Sequence, residues 1–258
     1  VLQDVLGRAG RFKRVNDNLY VKEVVVGEGE LRRRYLVCRN PAQAERERAH
    51  RAQVVEELGL EMPETWDDLL DPAYEDNIAM AHPASSGTAY TTFFTQVLRL
   101  GSEEAAMEYA KALHPNILQY TKSGSASGPM AGRGEIAVSI IFSHDCIANI
   151  DAGFEDLAVV FPADGTGYEI GAQALVANAP HPNNAKTWMD WALQADTQEI
   201  GPTVQAFQLP TNPNAAVSEF AVDISQVNLV DYDFQAAGEA RTRLTEQFED
   251  EVAAAPAE

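Results

Sequence analysis

The stretch Ala79-Met-Ala-His-Pro-Ala-Ser-Ser-Gly-Thr-Ala-Tyr-Thr-Thr92 decides the fold. A short apolar run reaches Pro83, and small hydroxyl residues with a glycine then open a predicted helix. The first N–H groups of a helix have no partner inside it, and the helix dipole is positive there. This start either caps its own helix or forms a seat for phosphate, phosphonate or carboxylate. The residues concerned are Ser85, Ser86, Gly87 and Thr88.

Charge is distributed unevenly along the 258 residues. Residues 1–58 hold 12 of the 19 Lys and Arg side chains against 9 Asp and Glu, whereas residues 59–258 hold 7 against 30. The change predicts two segments of different origin. The acidic excess disfavours nucleic acid as a partner of residues 59–258. It is typical of either a protein working in high salt or an acidic secreted domain.

Cysteine content and hydropathy limit the class of protein further. Cys38 and Cys146 match no disulfide framework and no metal spacing, so we expect neither a structural metal nor a resident cofactor. No apolar run approaches the about 18 residues of a membrane span. The first ten residues lack the apolar core of a signal peptide, which makes the chain as given compatible with a cytoplasmic location.

Residues 1–58 predict a β-hairpin followed by a helix. Two strand-like runs, 19–27 and 33–38, flank a turn at 27–30, and Glu and Arg interleave at helical spacing over residues 42–58. The cluster Arg32-Arg33-Arg34 could contact nucleic acid, although a solvated hairpin edge is the commoner meaning of three arginines.

This basic segment resembles an internal piece of DDE-type insertion-element transposases. The resemblance covers about 45 residues and includes no catalytic carboxylate motif, so it implies origin and no transposition chemistry. It is carried by Arg11-Phe, Asn18-Leu-Tyr-Val-Lys-Glu-Val, Arg33-Arg-Tyr-Leu-Val-Cys-Arg-Asn-Pro and Ala44-Glu-Arg.

Residues 59–258 alternate predicted strands with predicted helices, which indicates an α/β fold with a largely parallel sheet. Thr65 is predicted to cap a short helix that Pro72 stops, and Trp188 and Trp191 are predicted to face a core. The predicted strands are 77–82, 116–120, 135–142, 158–162 and 168–176. The other predicted helices are 89–100, 103–113, 182–195 and 233–252.

Three polar clusters follow predicted strand ends. They are 85–88, 123–125 with Ser123 and Ser125, and 143–145. Ligands of open α/β sheets bind outside the carboxyl ends of the strands. Three clusters at one edge favour the anion seat over the simple cap.

At this point the chain resembles the solute-binding proteins of ABC transporters, in the subgroup of ferric-iron, aminoethylphosphonate and sugar-phosphate receptors. The similarity runs over about 200 residues. It is carried by Trp66-Asp-Asp-Leu-Leu-Asp-Pro, Pro83-Ala-Ser-Ser-Gly-Thr-Ala-Tyr-Thr, Gln119-Tyr-Thr-Lys-Ser-Gly-Ser-Ala, Arg133-Gly-Glu-Ile-Ala-Val-Ser, Phe161-Pro and Gly165-Thr-Gly-Tyr-Glu.

The resemblance implies the type II periplasmic-binding-protein fold, with a small solute and an ABC permease as partners. It also implies a periplasmic or extracellular location for the intact family. Family members carry most of a first lobe before the Trp66 motif, where this chain carries the transposase-like piece, joined near Val54. We therefore predict a chimera with an extra hairpin and helix (1–58), a complete second lobe (59–171) and a remnant of the first lobe (172–258). The lost part of the first lobe is expected to leave apolar area exposed.

The resemblance further implies the class of solute. Members that bind ferric iron place two adjacent tyrosines where this sequence has Ser143-His144-Asp145, so iron is disfavoured and a ferric receptor stays the alternative. Members that recognise hexose phosphates carry a His-Asp pair at this position and a later Glu, here His144, Asp145 and Glu169. A hexose phosphate or aminoethylphosphonate is predicted, held by hydrogen bonds to these side chains and to the helix start. The pair could equally satisfy itself, and Glu169 could simply face water.

The sequence bears on two further classes of function. Catalysis is disfavoured because no G-x-S-x-G elbow, H-E-x-x-H sequence or phosphate-binding P-loop is present. A non-functional fusion product stays open because ligand is normally enclosed between two lobes. We expect the affinity of this chain to be impaired, at millimolar or weaker.

Overall fold

The computed structural model describes residues 13–16, 19–26, 33–39, 60, 62–154 and 156–256. The chain forms two compact units, one of Val1–Ala44 with Ile170–Val222 and one of Glu45–Glu169 with Asp223–Glu258. The boundaries expected from the sequence, at 58 and 171, stay a prediction.

The basic segment contains a three-stranded antiparallel sheet in the order β1-β2-β3. Tyr20 pairs with Arg39 and Val26 with Arg33, which confirms the two predicted strands of the hairpin. The predicted turn at 27–30 and the predicted helix at 42–58 lie outside the described residues. The strands are β1 (Lys13–Asn16), β2 (Leu19–Val26) and β3 (Arg33–Arg39).

The larger unit is organised by a parallel sheet in the order β5-β4-β6, as the α/β pattern predicted. Met80 of β4 lies opposite Tyr120 of β5 and Ile140 of β6. The carboxyl ends of all three strands therefore lie at one edge. The strands are β4 (Ile78–Ala81), β5 (Ile117–Thr121) and β6 (Val138–Ile140).

The four longer predicted helices form, the third of them ending at Ala192 and not at 195, whereas Gly128–Arg133 and Ser143–Asp151 are helices that the sequence pattern does not predict. The 18-residue helix α7 and the pair α1 and α2 match their predicted bounds to within two residues. None of the helices in the described residues is long and apolar enough to cross a bilayer. The α-helices are α1 (Gly87–Leu100), α2 (Glu103–Leu113), α3 (Gly128–Arg133), α4 (Ser143–Asp151), α5 (Pro182–Ala192), α6 (Ala195–Gln198) and α7 (Phe234–Glu251). The 3-10 helices are Asp67–Leu70, Pro72–Tyr74, His114–Asn116, Gly201–Val204 and Ile224–Gln226.

The core of this unit has separate clusters on the two faces of β4. Successive side chains of a strand point to opposite faces. Ile78 and Met80 accordingly join a cluster that includes Trp66, whereas Ala79 packs with Ile136 in another. All four residues of β4 are buried, which is typical of a central parallel strand.

Helix α7 completes the larger unit from the far end of the chain. Leu244 and Phe248 are buried among the aromatic side chains of α1, and the Tyr90 hydroxyl donates to the Ala237 carbonyl. Lys111 pairs with Glu251 at 2.7 Å. Residues 223–256 thus belong to the same compact unit as the sheet.

The Trp66 segment ties a distant loop to the core. Trp66 Nε1 donates to the Gly165 carbonyl at 2.7 Å, and the Tyr109 hydroxyl donates to the Trp66 carbonyl at 2.6 Å. The helix predicted here is a 3-10 helix, and its start is closed by Thr65 Oγ1 accepting from Asp68 N at 3.3 Å.

Two expectations for residues 158–195 are wrong. In the described part of the chain, residues 158–162 and 168–176 form no strand, and the isolated bridge between Thr166 and Leu229 lies between the two ranges and after them. A strand needs a neighbour to pair its backbone, and residues 170–178 are exposed. Trp188 and Trp191 are 61% and 41% exposed, so they do not face a core. Their rings pack on each other, with 4.8 Å between the centroids. This helix exposes apolar area, and the expectation that such exposure follows from a lost part of the first lobe stays a prediction.

Candidate functional site

The start of α1 lies directly after β4, at the carboxyl edge of the sheet. Ser86 is extended (φ −135°, ψ 130°) and its Oγ accepts a long hydrogen bond from Ala89 N at 3.5 Å. Its carbonyl accepts from Tyr90 N at 3.1 Å. Among the described residues, the N–H groups of Gly87 and Thr88 have no hydrogen-bond acceptor, as expected for a first turn. Ser86 is therefore a true cap, and two donors beside it stay open.

Ser85 ties this turn to the loop after β5. Its Oγ lies 3.3 Å from the carbonyl of His82 and 3.2 Å from that of Lys122. A hydroxyl has one hydrogen, which these two carbonyls share. Ser85 therefore holds the loop more directly than it offers a donor to a ligand.

The loop 122–127 packs against the start of α1 through a glycine. A β-carbon on Gly124 would stand 2.7 Å from Thr88 Cβ and 3.1 Å from Ser86 Oγ. Ser123 and Ser125, on either side, are exposed, and the Ser123 carbonyl accepts from Thr121 Oγ1 at 2.9 Å. The first two predicted clusters are thus brought together, and Gly124 makes their close approach sterically feasible.

Glu169 lies at the same helix start. Its Oε1 accepts from Thr91 Oγ1 at 2.7 Å and lies 3.4 Å from where a β-carbon on Gly87 would be. A carboxylate is stabilised near a helix N-terminus by the positive end of the dipole. The Glu169 side chain therefore provides an exposed acceptor beside the two open N–H groups.

His144 and Asp145 lie in the first turn of α4, which begins shortly after β6 at the same edge of the sheet. The imidazole stacks on Phe142, and its Nε2 is 3.9 Å from Asp145 Oδ1. Both side chains are about a quarter exposed. Burial raises the pKa of the Asp145 carboxyl, an effect that His144 opposes.

The structure joins most of the predicted site residues and leaves one pair apart. Ser85–Thr88, the 123–125 loop and Glu169 meet at the start of α1. His144 and Asp145 share the sheet edge, but no direct contact joins them to that group among the described residues.

Sequence reasoning missed Gly124, Thr91 and His82 as residues that build the site. The Ser-Gly-Ser pattern at 123–125 was a usable signal for Gly124, because a glycine between two polar residues indicates close backbone approach. Thr91 and His82 carry no such signal in the sequence, because their hydrogen-bond partners are far along the chain, at separations of 78 and 171 positions.

The described residues contain no group of three or more His, Cys, Asp and Glu side chains that could hold a metal ion. Cys146 is a free thiol whose pKa is raised by burial. What the site offers is a pair of open backbone donors, small hydroxyl groups and carboxylates.

Comparison with known proteins identifies relatives of most of the chain. The sequence profile of the bacterial extracellular solute-binding proteins matches residues 55–237. A protein of Haemophilus influenzae is 39% identical over 199 residues, which are 76% of this chain and 57% of that protein. The chain therefore spans little more than half the length of this relative.

Two solved structures are similar in sequence and in fold. The periplasmic binding protein AfuA from Actinobacillus pleuropneumoniae, with exogenous fructose 6-phosphate bound, is 40% identical with a TM-score of 0.74. The periplasmic binding protein P5PA is 37% identical with a TM-score of 0.73. In both comparisons the alignment covers 78% of this chain and 64% of the other.

Proposed function

Because the chain belongs to the family of bacterial extracellular solute-binding proteins, we propose that it derives from the solute-binding component of an ABC importer and binds a small phosphorylated or phosphonylated solute. Its partners are then the solute and an ABC permease, and its place of action is the periplasm or the cell exterior. The family binds solutes and does no chemistry on them, so the chain is not an enzyme.

The observation that supports the anion site is the packing of Gly124 on Thr88 and Ser86. This contact brings a second polar loop onto a helix start whose first N–H groups are open. A phosphoryl group has several acceptor oxygens, and backbone donors at a helix start suit it. An ordinary cap would need only Ser86.

The rest of the solute is proposed to face the carboxylates. Glu169 accepts from Thr91 at the helix start, and a sugar hydroxyl or an ammonium group is the donor that a carboxylate prefers. His144 and Asp145 at the neighbouring strand end are proposed as a second contact. Similarity to AfuA, which was solved with fructose 6-phosphate, favours a hexose phosphate over aminoethylphosphonate.

The affinity of this chain is proposed to be low. A helix dipole contributes about 1–2 kcal/mol to anion binding, whereas micromolar affinity corresponds to about 8 kcal/mol. The exposed Trp188 and Trp191 leave an apolar surface uncovered. A fusion product without transport function is the second candidate, and this exposure is the observation that favours it.

The origin of residues 1–58 in another gene is also a proposal. The family match begins at residue 55, one residue from the junction expected near Val54. The DNA upstream of the coding sequence tests it, because an interrupted receptor gene beside an insertion element is the expected arrangement.

The proposed function is tested by titrating the chain with fructose 6-phosphate, aminoethylphosphonate and ferric citrate, followed by ¹H–¹⁵N NMR. The expected result is saturable shifts of the Gly87 and Thr88 amides with the first two ligands at millimolar concentration. Calorimetry of the chain extended with the remaining length of its relatives should give micromolar affinity for one of them. A preference for ferric citrate in either form would refute the phosphoryl assignment.

A further inference from the structure

His82 connects the sheet to the loop that starts α1. It follows β4 directly and is fully buried, at 0% exposure. Its N–H donates to the Thr121 carbonyl at 2.8 Å, which extends the pairing of β4 with β5 by one residue. Its carbonyl accepts from Ser85 N at 3.1 Å and from Ser86 N at 3.0 Å. The backbone of His82 therefore fixes the turn in which Ser85 and Ser86 lie.

The imidazole makes two hydrogen bonds whose directions are fixed by their partners. Nδ1 lies 3.1 Å from Ala84 N, a group that can only donate. Nε2 lies 2.8 Å from the Ala253 carbonyl, a group that can only accept. The ring is therefore held as the neutral tautomer with its proton on Nε2. Its Nδ1 is bonded to the loop before α1, and its Nε2 is bonded to the segment after α7.

The surroundings of the ring leave it little freedom. Tyr120 and Phe248 contact it edge-on, at 5.6 and 5.2 Å between ring centroids. The Ala253 carbonyl is itself held in place, because Val252 N and Ala253 N both donate to the Phe248 carbonyl at the end of α7. A displacement of this segment would therefore move the imidazole, and through it Ala84.

We infer that His82 is a positioning residue that couples the segment after α7 to the anion seat at the start of α1. The inference rests on the proposed function in one respect, which is that the start of α1 binds the anion. The coupling itself depends only on the hydrogen bonds of His82. The alternative is a core histidine whose two bonds contribute to stability alone.

Two conservative variants separate the two nitrogens. Asparagine places its amide where Nδ1 lies, so His82→Asn can still accept from Ala84 but cannot reach Ala253. Glutamine places its amide where Nε2 lies, so His82→Gln can still donate to Ala253. A chain ending at Val252 removes the Ala253 carbonyl itself, and Ile136→Val is the matched control for general loosening of the core, because Ile136 is buried in a different cluster.

Two quantities are measured for each full-length variant and for the shortened chain. The first is the hydrogen-exchange rate of the Ser85 and Ser86 amides. The second is the NMR response of the Gly87 and Thr88 amides to inorganic phosphate. Coupling predicts that His82→Asn and the shortened chain exchange about 5–10-fold faster at Ser85 and Ser86 and bind phosphate several-fold more weakly. Combining the two changes should add little. His82→Gln keeps the bond to Ala253 but loses the bond to Ala84, so its Ser85 and Ser86 amides should also exchange faster, whereas Ile136→Val should stay close to the unchanged chain. The slowly exchanging Nε2 proton of His82 should disappear in the shortened chain.

The inference is overturned if His82→Asn leaves the Ser85 and Ser86 exchange unchanged, if the two losses simply add, or if Ile136→Val reproduces them. A lack of any phosphate response in the unchanged chain would refute the proposed function at this site. The exchange rates would then still decide the coupling, because they need no ligand.

Discussion

Gly124 and Thr88 pack so closely that a β-carbon on Gly124 would lie 2.7 Å from the Cβ of Thr88. Real β-carbons do not approach other atoms so closely, so any larger residue at 124 must push the loop away from α1. The contact is between a loop after β5 and a helix after β4. The short distance therefore shows that the segments following two neighbouring strands are in direct contact.

Gly124→Ala is expected to weaken the binding of fructose 6-phosphate and to destabilise the fold by about 1–3 kcal/mol, because overpacking forces the backbone to shift. Gly238→Ala is the matched control. Gly238 lies in α7 with nothing within 4 Å of its β-position, so alanine there should stabilise by about 1 kcal/mol and leave binding unchanged. Urea unfolding and NMR titration measure both effects. Unchanged binding in Gly124→Ala would contradict the assigned role of the contact.

Glu169→Gln is expected to change selectivity. Removing the charge beside the open N–H groups should strengthen the binding of inorganic phosphate, because a repulsive carboxylate is lost. The same change should reduce the preference for aminoethylphosphonate over methylphosphonate, since the ammonium loses its partner. Parallel titrations of the three ligands give the ratios. Equal changes for all three would show that Glu169 faces solvent and not the ligand.

Arg99 is expected to be structural. Its guanidinium bonds Asp67 and Asp164, both at 2.9 Å, and Gln96 at 2.7 Å, and its side chain is only 9% exposed. Lysine cannot reproduce this planar set of donors, so Arg99→Lys should cost about 2 kcal/mol of unfolding free energy. Arg243→Gln is the control, because the exposed pair with Glu103 should contribute less than about 1 kcal/mol. Denaturation that ranks the two variants in the opposite order would refute this.

The fold was largely predictable from sequence because its strongest signals are local. Ser86 and Ser102 cap α1 and α2 where hydroxyl residues precede helical periodicity. The apolar run at 78–81 forms the central strand. The failures concern long-range partners. Periodicity could place Trp188 on the apolar face of its helix, but it does not tell whether another element packs on that face.

The site was predictable in part for the same reason. Parallel strands put three polar clusters at one edge, which topology alone dictates. Sequence could not show that the Ser85 hydroxyl is occupied by two carbonyls, or that His82 reaches Ala253. The contacts with Lys122 and Ala253 join segments 37 and 171 positions apart, which only tertiary packing brings together.

Asp145→Asn is expected to stabilise the protein at neutral pH. Burial raises the pKa of this carboxyl, so the folded state binds its proton more tightly than the unfolded state does. Ionised Asp145 therefore costs stability above the raised pKa, and the cost disappears as the pH falls below about 3.9, where both states are protonated.

Asp223→Asn is expected to destabilise the protein at neutral pH, the opposite of Asp145→Asn. Hydrogen bonds from Ser225 lower the pKa of Asp223, so its contribution is present at neutral pH and is lost on acidification. Urea unfolding from pH 3 to 7 compares the two variants. A pH-independent gain for Asp145→Asn would contradict the assigned cause.

Replacing Trp188 and Trp191 with serine is expected to leave the unfolding free energy within about 0.5 kcal/mol, because exposed residues contribute little to the fold. Binding of a hydrophobic dye and self-association should fall. Fluorescence titration and sedimentation measure these effects. A large loss of stability would show that the pair is covered in solution.

The return of α7 onto α1 also fixes when this protein can fold during its synthesis. Leu244 and Phe248 cover the aromatic face of α1, yet they are made long after α1 and the sheet. At translation rates of about 5–20 residues per second, the ribosome needs about 4–15 s to pass from Glu169 to Leu244. Throughout that interval the aromatic face of α1 lacks its cover and stays exposed, so the nascent chain is most prone to aggregate in this period.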